Sequence, residues 1–127
     1  MTPKESFVVH LILLVSLVPV VALSAIMAFG RVKRNVYFGF RTPATLSDDR
    51  IWDPANRYAG RALLWALLAH ALIVLLNLVG MLHFHVLVTI GLLLSSVLAA
   101  VGMSMLRLRR IVRLAQSGKA TPRDDRE

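Results

Sequence analysis

Cysteine is absent from the sequence, and acidic residues are few. Without cysteine the chain has no disulfide, no thiolate metal site and no cysteine nucleophile. Only 7 Asp and Glu residues stand against 15 Lys and Arg, and none of these charged residues falls inside the three long apolar blocks of the chain. The blocks are therefore built almost entirely from side chains that avoid water.

The length and spacing of these blocks indicate a membrane protein. A soluble domain of 127 residues could not cover an apolar content of 57%, because small domains leave much of their surface in water. The blocks cover residues 7–29, 62–82 and 86–106, and as helices each would be long enough to cross a hydrocarbon core of about 30 Å. We predict an all-α integral membrane protein, a single membrane domain over residues 1–127 with three transmembrane helices.

The basic residues lie outside these blocks. One precedes the first block, seven lie between the first and second, and seven follow the third. This distribution argues against a nucleic-acid-binding surface despite the net charge of +8. The positive-inside rule predicts a cytoplasmic loop at residues 30–61, a cytoplasmic basic tail at residues 107–127 and an N-terminus outside. The tail is expected to lie among anionic lipid headgroups, with a helical start that carries an apolar stripe: Leu108, Ile111, Val112 and Ala115.

The segment from residue 30 to residue 61, here called the motif loop, is too rich in aromatic residues for a disordered linker. Thr42 is expected to be extended because Pro43 follows it. Ser47, followed by two acids, predicts the start of a short amphipathic helix at the membrane surface, bent at Pro54 and running into the second transmembrane helix. Asp53 before Pro54 predicts an N-cap of that transmembrane helix.

The motif loop carries a recognisable pattern of residues. In chain order they are Asn35, Tyr37, Gly39, Arg41, Thr42, Pro43, Leu46, Trp52, Asn56, Arg57, Tyr58 and Gly60. The pattern resembles the signature loop of the SdpI family of bacterial membrane proteins, in its short three-helix form. The family is named for the immunity protein against the sporulation-delaying toxin. The resemblance implies a multi-pass protein of the bacterial inner membrane that resists a secreted peptide and signals by holding a transcriptional repressor at the membrane.

Two interpretations of the motif loop stay open. Arg41 suits a carboxylate or phosphate, and three acids of the same segment are available to it: Asp48, Asp49 and Asp53. An internal polar network would fold the loop, whereas a docking surface would bind a partner protein or a lipid headgroup. The candidate residues are Asn35, Tyr37, Gly39, Arg41, Thr42, Pro43, Trp52, Asn56 and Arg57. Trp52, Tyr58 and Trp65 also suit anchors at the membrane interface.

Polar residues inside the apolar blocks form a second candidate group. His70 and Asn77 are seven residues apart and share one helix face. Such groups form either interhelical hydrogen bonds or a polar cavity for a peptide or a proton. His10 stands alone in the first block, and His83 with His85 makes only a weak metal pattern.

The third block carries two rows of small residues at a spacing of four. One row contains Gly91, Ser95 and Ala99, and the other contains Ser96, Ala100 and Ser104. Such rows favour close helix packing, within the chain or between copies, so the Gly91 row predicts a contact in an oligomer.

The sequence has no membrane-embedded carboxylate, no glycine-rich phosphate loop and no nucleophile motif. We predict a non-enzymatic protein of the immunity or signalling type, without cofactor or metal. Its expected partners are the anionic bilayer and a membrane or cytoplasmic protein or peptide toxin, with nucleic acid excluded. The alternatives are an accessory subunit of a larger membrane complex and a small carrier or enzyme that uses His70 and Asn77.

Overall fold

A computed structural model of the chain describes residues 2–30, 32–35, 37–80, 82 and 84–117. Across these residues it contains four helices, which are α1 (Pro3–Phe29), α2 (Pro43–Ser47), α3 (Asp49–Leu78) and α4 (Val86–Ser117). Of these, α1, α3 and α4 are long and apolar enough to cross a membrane. The prediction of an all-α membrane protein with three spanning helices is confirmed.

The first helix, α1, begins at a capping box. The Thr2 hydroxyl accepts the Glu5 backbone N–H at 3.3 Å, and the Glu5 carboxylate accepts the Thr2 backbone N–H at 2.7 Å. These two bonds satisfy donors that a helix start leaves open. The helix runs through Pro19 and exposes large apolar side chains such as Ile12 and Val18, which suits contact with lipid tails.

The third helix, α3, starts earlier than the second apolar block. Asp48 caps it, and its carboxylate accepts the Arg50 backbone N–H at 2.9 Å. The predicted N-cap at Asp53 is wrong, because Asp48 supplies the cap and Pro54 lies inside a continuous helix. The predicted surface helix is thus the beginning of α3 itself. At its other end α3 stops at Leu78, short of residue 82.

The central helix of the bundle is α3, since it packs against both α1 and α4 while those two barely touch each other. Gly60 marks its close crossing with α1. A Cβ built at Gly60 would collide with the α1 backbone at Met27 and Ala28, so only glycine lets the two helices approach this closely. Further along α3, Leu67 and Val74 are almost fully buried.

The last turns of α4 pack against the first turns of α3. The buried residues Ile51, Ala55 and Leu108 form one cluster, and the residues that pack against it are Phe40, Ile111, Val112 and Ala115. The predicted apolar stripe of the tail is confirmed, and residues 118–127 lie outside the described part of the chain. We call this end of the bundle the loop end, and the opposite end, where residues 79–85 join α3 to α4, the turn end.

Candidate functional site

Trp52 anchors the motif loop. Its side chain is only 1% exposed, and its indole N–H donates to the Val32 carbonyl at 2.6 Å. This bond ties the chain just after α1 to the first turns of α3. Trp52 is therefore a core residue of the loop end rather than an anchor at the membrane interface, whereas Trp65 is exposed.

Asn56 fixes the middle of the loop from one turn further along α3. Its side-chain oxygen accepts the Phe40 backbone N–H at 2.6 Å, and its amide donates to the Trp52 carbonyl at 3.0 Å. The side chain is buried, so each of these bonds replaces one that water would otherwise supply. Asn56 thereby holds the loop against the helix at Phe40.

Gly39 is required by this contact. Its φ angle of +110° belongs to a region that side chains rarely adopt, and a Cβ there would press against the side chains of Asn56 and Trp52. The backbone conformation and the lack of room for a Cβ together explain why the motif has glycine at this position.

The Thr42–Pro43 pair begins α2. Thr42 is extended, as predicted, and its hydroxyl accepts the Thr45 backbone N–H at 3.1 Å. In return the Thr45 hydroxyl accepts the Thr42 backbone N–H at 2.8 Å, and it lies 3.0 Å from the Phe40 carbonyl. Thr45 is fully buried and was missed in the sequence, although threonine three residues after a threonine N-cap is a form of the capping box.

Asn35 shapes the tip of the loop. Its side-chain oxygen accepts the backbone N–H groups of Tyr37 at 2.9 Å and Phe38 at 2.7 Å, while its amide donates to the Lys33 carbonyl at 2.9 Å. The turn presents Tyr37 with 87% of its surface exposed. An aromatic side chain is thus held out from a locally ordered backbone.

Charged side chains surround this framework. Arg34 forms an ion pair with Asp49 at 3.3 Å, beside an open cavity of about 510 Å³ that Trp52 and Asp53 also line. Asp49, one of the acids considered for Arg41, is therefore engaged by Arg34. Arg41 lies on the exposed surface of the loop, and both Arg41 and Asp48 take part in interactions within the structure.

The remaining loop candidates divide between surface and interior. Pro43 is exposed at the start of α2, and Arg57 is half-buried on α3. Gly39, Thr42, Trp52 and Asn56 belong to the internal network described above. The structure therefore brings most of the motif into one folded unit, with Tyr37, Arg41 and Pro43 on its outer surface.

His70 and Asn77, predicted on one face of a helix, have different surroundings. His70 is buried in α3, and among the described residues neither of its ring nitrogens has a hydrogen-bond partner. Asn77 lies at the turn end, where its amide donates to the Thr89 hydroxyl of α4 at 3.4 Å and its oxygen accepts the Phe84 backbone N–H at 2.9 Å. Of these two residues, only Asn77 makes an interhelical hydrogen bond among the described residues.

His10, which looked isolated in the sequence, joins the same network. One ring nitrogen, Nδ1, lies 2.8 Å from the Ser6 carbonyl, and the other, Nε2, lies 3.3 Å from the Thr89 hydroxyl. Because a carbonyl oxygen only accepts, Nδ1 donates to Ser6, while Nε2 lies within hydrogen-bonding distance of the Thr89 hydroxyl. Thr89 thus links α1, α3 and α4, and it was missed in the sequence because threonine is common in apolar helices.

A cleft of about 430 Å³ opens beside this network at the turn end. Both polar and apolar side chains line the cleft, namely Ser6, Phe7, His10, Asn77, Leu78, Leu82, Phe84 and His85. His83, the other half of the weak metal pattern, lies outside the described residues. Within the described part of the chain, no group of three or more His, Cys, Asp or Glu is placed to hold a metal ion.

The two small-residue rows of α4 face different surroundings. Ala100 and Ser104 are buried against the bundle, while Gly91, Ser95 and Ala99 are exposed. A Cβ built at Gly91 would meet no other atom. The row proposed for an oligomer contact is thus the one that the fold leaves uncovered.

Three apolar helices of membrane length define the class of this protein, an integral membrane protein of the α-helical type. Residues 31–106, more than half of the chain, match the sequence model of the SdpI/YfhL protein family, and the chain belongs to that family. The match begins in the motif loop and ends with the apolar part of α4. The family is a non-enzymatic, immunity-type family of membrane proteins. Neither a curated protein sequence nor a solved structure gives a significant match.

Proposed function

We propose that this protein protects a bacterial cell against a membrane-active peptide, or senses one, without catalysis. In this proposal the turn end meets the peptide and the motif loop binds a partner protein on the cytoplasmic side. The observation that carries the proposal is the division within the motif loop, where Trp52 and Asn56 are buried while Tyr37 is 87% exposed.

A loop held by its own hydrogen bonds is well suited to docking. Asn35 and Asn56 already fix the backbone on both sides of Gly39. A partner that binds Tyr37 and Arg41 would therefore not have to order the segment, and ordering is a large part of the cost of binding. Exposed aromatic and arginine side chains are the types enriched at protein interfaces.

The cleft at the turn end supports the choice of a peptide ligand. Its Phe7 and Phe84 side chains suit an apolar peptide side chain, and the polar residues His10 and Asn77 line the cleft beside them. The helix α3 connects this cleft to the motif loop, since Asn77 and Asn56 are residues of the same helix. A shift of α3 on peptide binding would thus reach the loop directly.

The proposed orientation places the loop end in the cytoplasm. It rests on the seven basic residues of the motif loop and the seven that follow the third apolar block. Reporter fusions after residue 45 and after residue 117 should both report a cytoplasmic location. An external location of either fusion would contradict this part of the proposal.

Expression in a sensitive bacterium tests the protective role. Cells that produce the protein should survive a higher concentration of at least one peptide in a panel of membrane-active peptides. Unchanged sensitivity to the whole panel would contradict protection.

Affinity purification from native membranes tests the docking surface. Arg41→Ala and Tyr37→Ser should lose a co-purifying partner while the protein stays folded. Arg50→Ala, which also removes an exposed arginine near the start of α3, is the matched control and should retain the partner. Equal recovery with all three variants would place the contact elsewhere.

The exposed Gly91 row favours a second candidate function, that of an accessory subunit in a larger membrane complex. Small residues let another helix approach closely. Under this alternative, a stoichiometric membrane partner would co-purify in mild detergent and Gly91→Leu would release it, while peptide sensitivity would not change.

A further inference from the structure

An open pocket of about 200 Å³ lies between α3 and α4 at the loop end and has no part in the network of the motif loop. Its lining residues are Tyr58 on α3 together with Met103, Leu106, Arg107 and Arg110 on α4. Apolar and cationic side chains thus share one small concavity.

The pocket crosses the level where the apolar block ends. Met103 and Leu106 belong to the last turn of the apolar block, and Arg107 is the first charged residue after it. The rise of about 1.5 Å per residue puts Arg110 about 10 Å further along the helix than Met103. Both apolar residues are exposed, which suits hydrocarbon, whereas the charge of the two arginines suits the headgroup region.

In the described part of the chain, the arginines of the pocket have no acidic partner. Within the described residues no carboxylate pairs with Arg107 or Arg110, and α4 contains no Asp or Glu. The Arg107 guanidinium instead lies 5.7 Å from the centre of the Tyr58 ring, within the range of a cation–π contact. This contact orients a planar group of hydrogen-bond donors without neutralising it.

We propose that this pocket binds the phosphate of an anionic phospholipid in the leaflet at the loop end. Arg107 and Arg110 would donate to the phosphate oxygens, and Met103 with Leu106 would contact the first part of an acyl chain. A pair of arginines can donate several charge-assisted hydrogen bonds to one phosphate. The apolar part of the lining favours a lipid over a soluble phosphate, because it offers a contact surface to an acyl chain that a free phosphate lacks. The site is independent of any peptide or partner protein.

Native mass spectrometry of the delipidated full chain in detergent tests the proposal. Dioleoyl phosphatidylglycerol should bind to the wild type in preference to dioleoyl phosphatidylcholine. The double variant Arg107→Gln/Arg110→Gln should weaken phosphatidylglycerol binding about tenfold or more, because it removes two charge-assisted contacts. The matched control Arg109→Gln/Arg113→Gln removes the same charge from exposed positions of the same helix outside the pocket and should weaken binding about twofold or less.

Further variants and ligands test the parts of the site separately. Tyr58→Phe should retain binding because the ring remains, whereas Tyr58→Leu should weaken it. Arg107→Lys/Arg110→Lys keeps the charge and should bind phosphatidylglycerol with intermediate strength. If the glutamine double variant does not fold, this lysine variant replaces it in the test. Glycerol phosphate, which has no acyl chain, should fail to displace the lipid at millimolar concentration.

Several results would overturn the proposal. Equal losses in the two glutamine double variants would indicate a general charge effect. Equal binding of the two phospholipids would exclude selection of an anionic headgroup, and displacement by glycerol phosphate would indicate a site for soluble phosphates.

Discussion

Asn56 and Asn77 lie near opposite ends of α3, and each uses its side-chain oxygen to hold the backbone of a neighbouring connection. Asn56 accepts from Phe40 at 2.6 Å and Asn77 accepts from Phe84 at 2.9 Å. Their surroundings differ, since Asn56 is 3% exposed while Asn77 lines an open cleft. The same hydrogen-bonding device thus gives a closed, fixed structure at the loop end and leaves a cavity at the turn end.

The other bonds of the two asparagines deepen this contrast. The Asn56 amide donates to Trp52 in its own helix, so the hydrogen bonds of Asn56 involve α3 and the loop alone. The Asn77 amide donates to Thr89, which also meets His10, so the hydrogen bonds at the turn end join three helices. Movement between helices should therefore disturb the hydrogen bonds of Asn77 before those of Asn56.

Of the substitutions proposed here, the replacement of Trp52 should destabilise the loop end most. Trp52→Ala removes a buried indole and its bond to Val32, and it should lower the free energy of unfolding by about 3–5 kcal/mol. Unfolding in mixed micelles with increasing dodecyl sulfate measures the change. Trp65→Ala is the matched control and should cost less than about 1 kcal/mol, since Trp65 is 70% exposed. Similar losses for the two variants would contradict the assignment of Trp52 to a packed core.

Replacing the two asparagines compares the ends directly. Asn56→Leu leaves the Phe40 N–H without its acceptor and should cost about 1–3 kcal/mol. Asn77→Leu should cost about 1 kcal/mol or less, because the Phe84 N–H lies at an exposed turn that water can reach. The same unfolding assay measures both variants. A larger loss for Asn77→Leu would reverse the proposed contrast.

Two glycines with positive φ sharpen the comparison further. Gly39→Ala places a methyl group in a strained conformation against Asn56 and should cost about 2 kcal/mol. Gly80→Ala, at φ +76° with open space around it, carries the conformational strain alone and should cost about 1 kcal/mol. Thermal unfolding in detergent distinguishes them. If the free energy of unfolding falls equally in both variants, crowding between residue 39 and Asn56 contributes nothing to the loss.

A small effect is expected at Thr89. Thr89→Val removes the hydroxyl that joins His10 and Asn77 and should cost about 1 kcal/mol, the usual size of a hydrogen bond between membrane helices. Thr89→Ser keeps the hydroxyl and should lose less. Unfolding in mixed micelles again provides the measurement, and a Ser variant less stable than the Val variant would show that the methyl group matters more than the hydrogen bonds.

The sequence predicted the three spanning helices because a long apolar run favours lipid over water, and in lipid a helix satisfies its own backbone hydrogen bonds. It also predicted the apolar stripe that begins at Leu108, since helical periodicity is visible locally. The start of α3 was harder to place. Asp48 and Asp53 are both good caps, and only the packing of Ile51 and Trp52 beneath the loop selects the earlier one.

Contacts between distant residues could not be predicted from the sequence. Nothing local pairs His10 with Thr89, which lie 79 positions apart. The motif gave Trp52 and Asn56 as candidates without showing that both point inward, and it gave Tyr37 without showing that it points outward. Likewise, two equivalent rows of small residues lie on α4, and only the position of α3 decides that Ala100 and Ser104 are covered.

Amide hydrogen exchange at Phe40, measured by NMR on the protein in lipid nanodiscs, tests most directly whether Asn56 fixes the motif loop. The Phe40 amide should exchange about 100-fold or more slowly than an unstructured peptide in the wild type, because its acceptor is a buried side chain. That protection should disappear in Asn56→Leu. Rapid exchange of Phe40 in the wild-type protein would contradict the account, since the loop would then have no fixed surface to present.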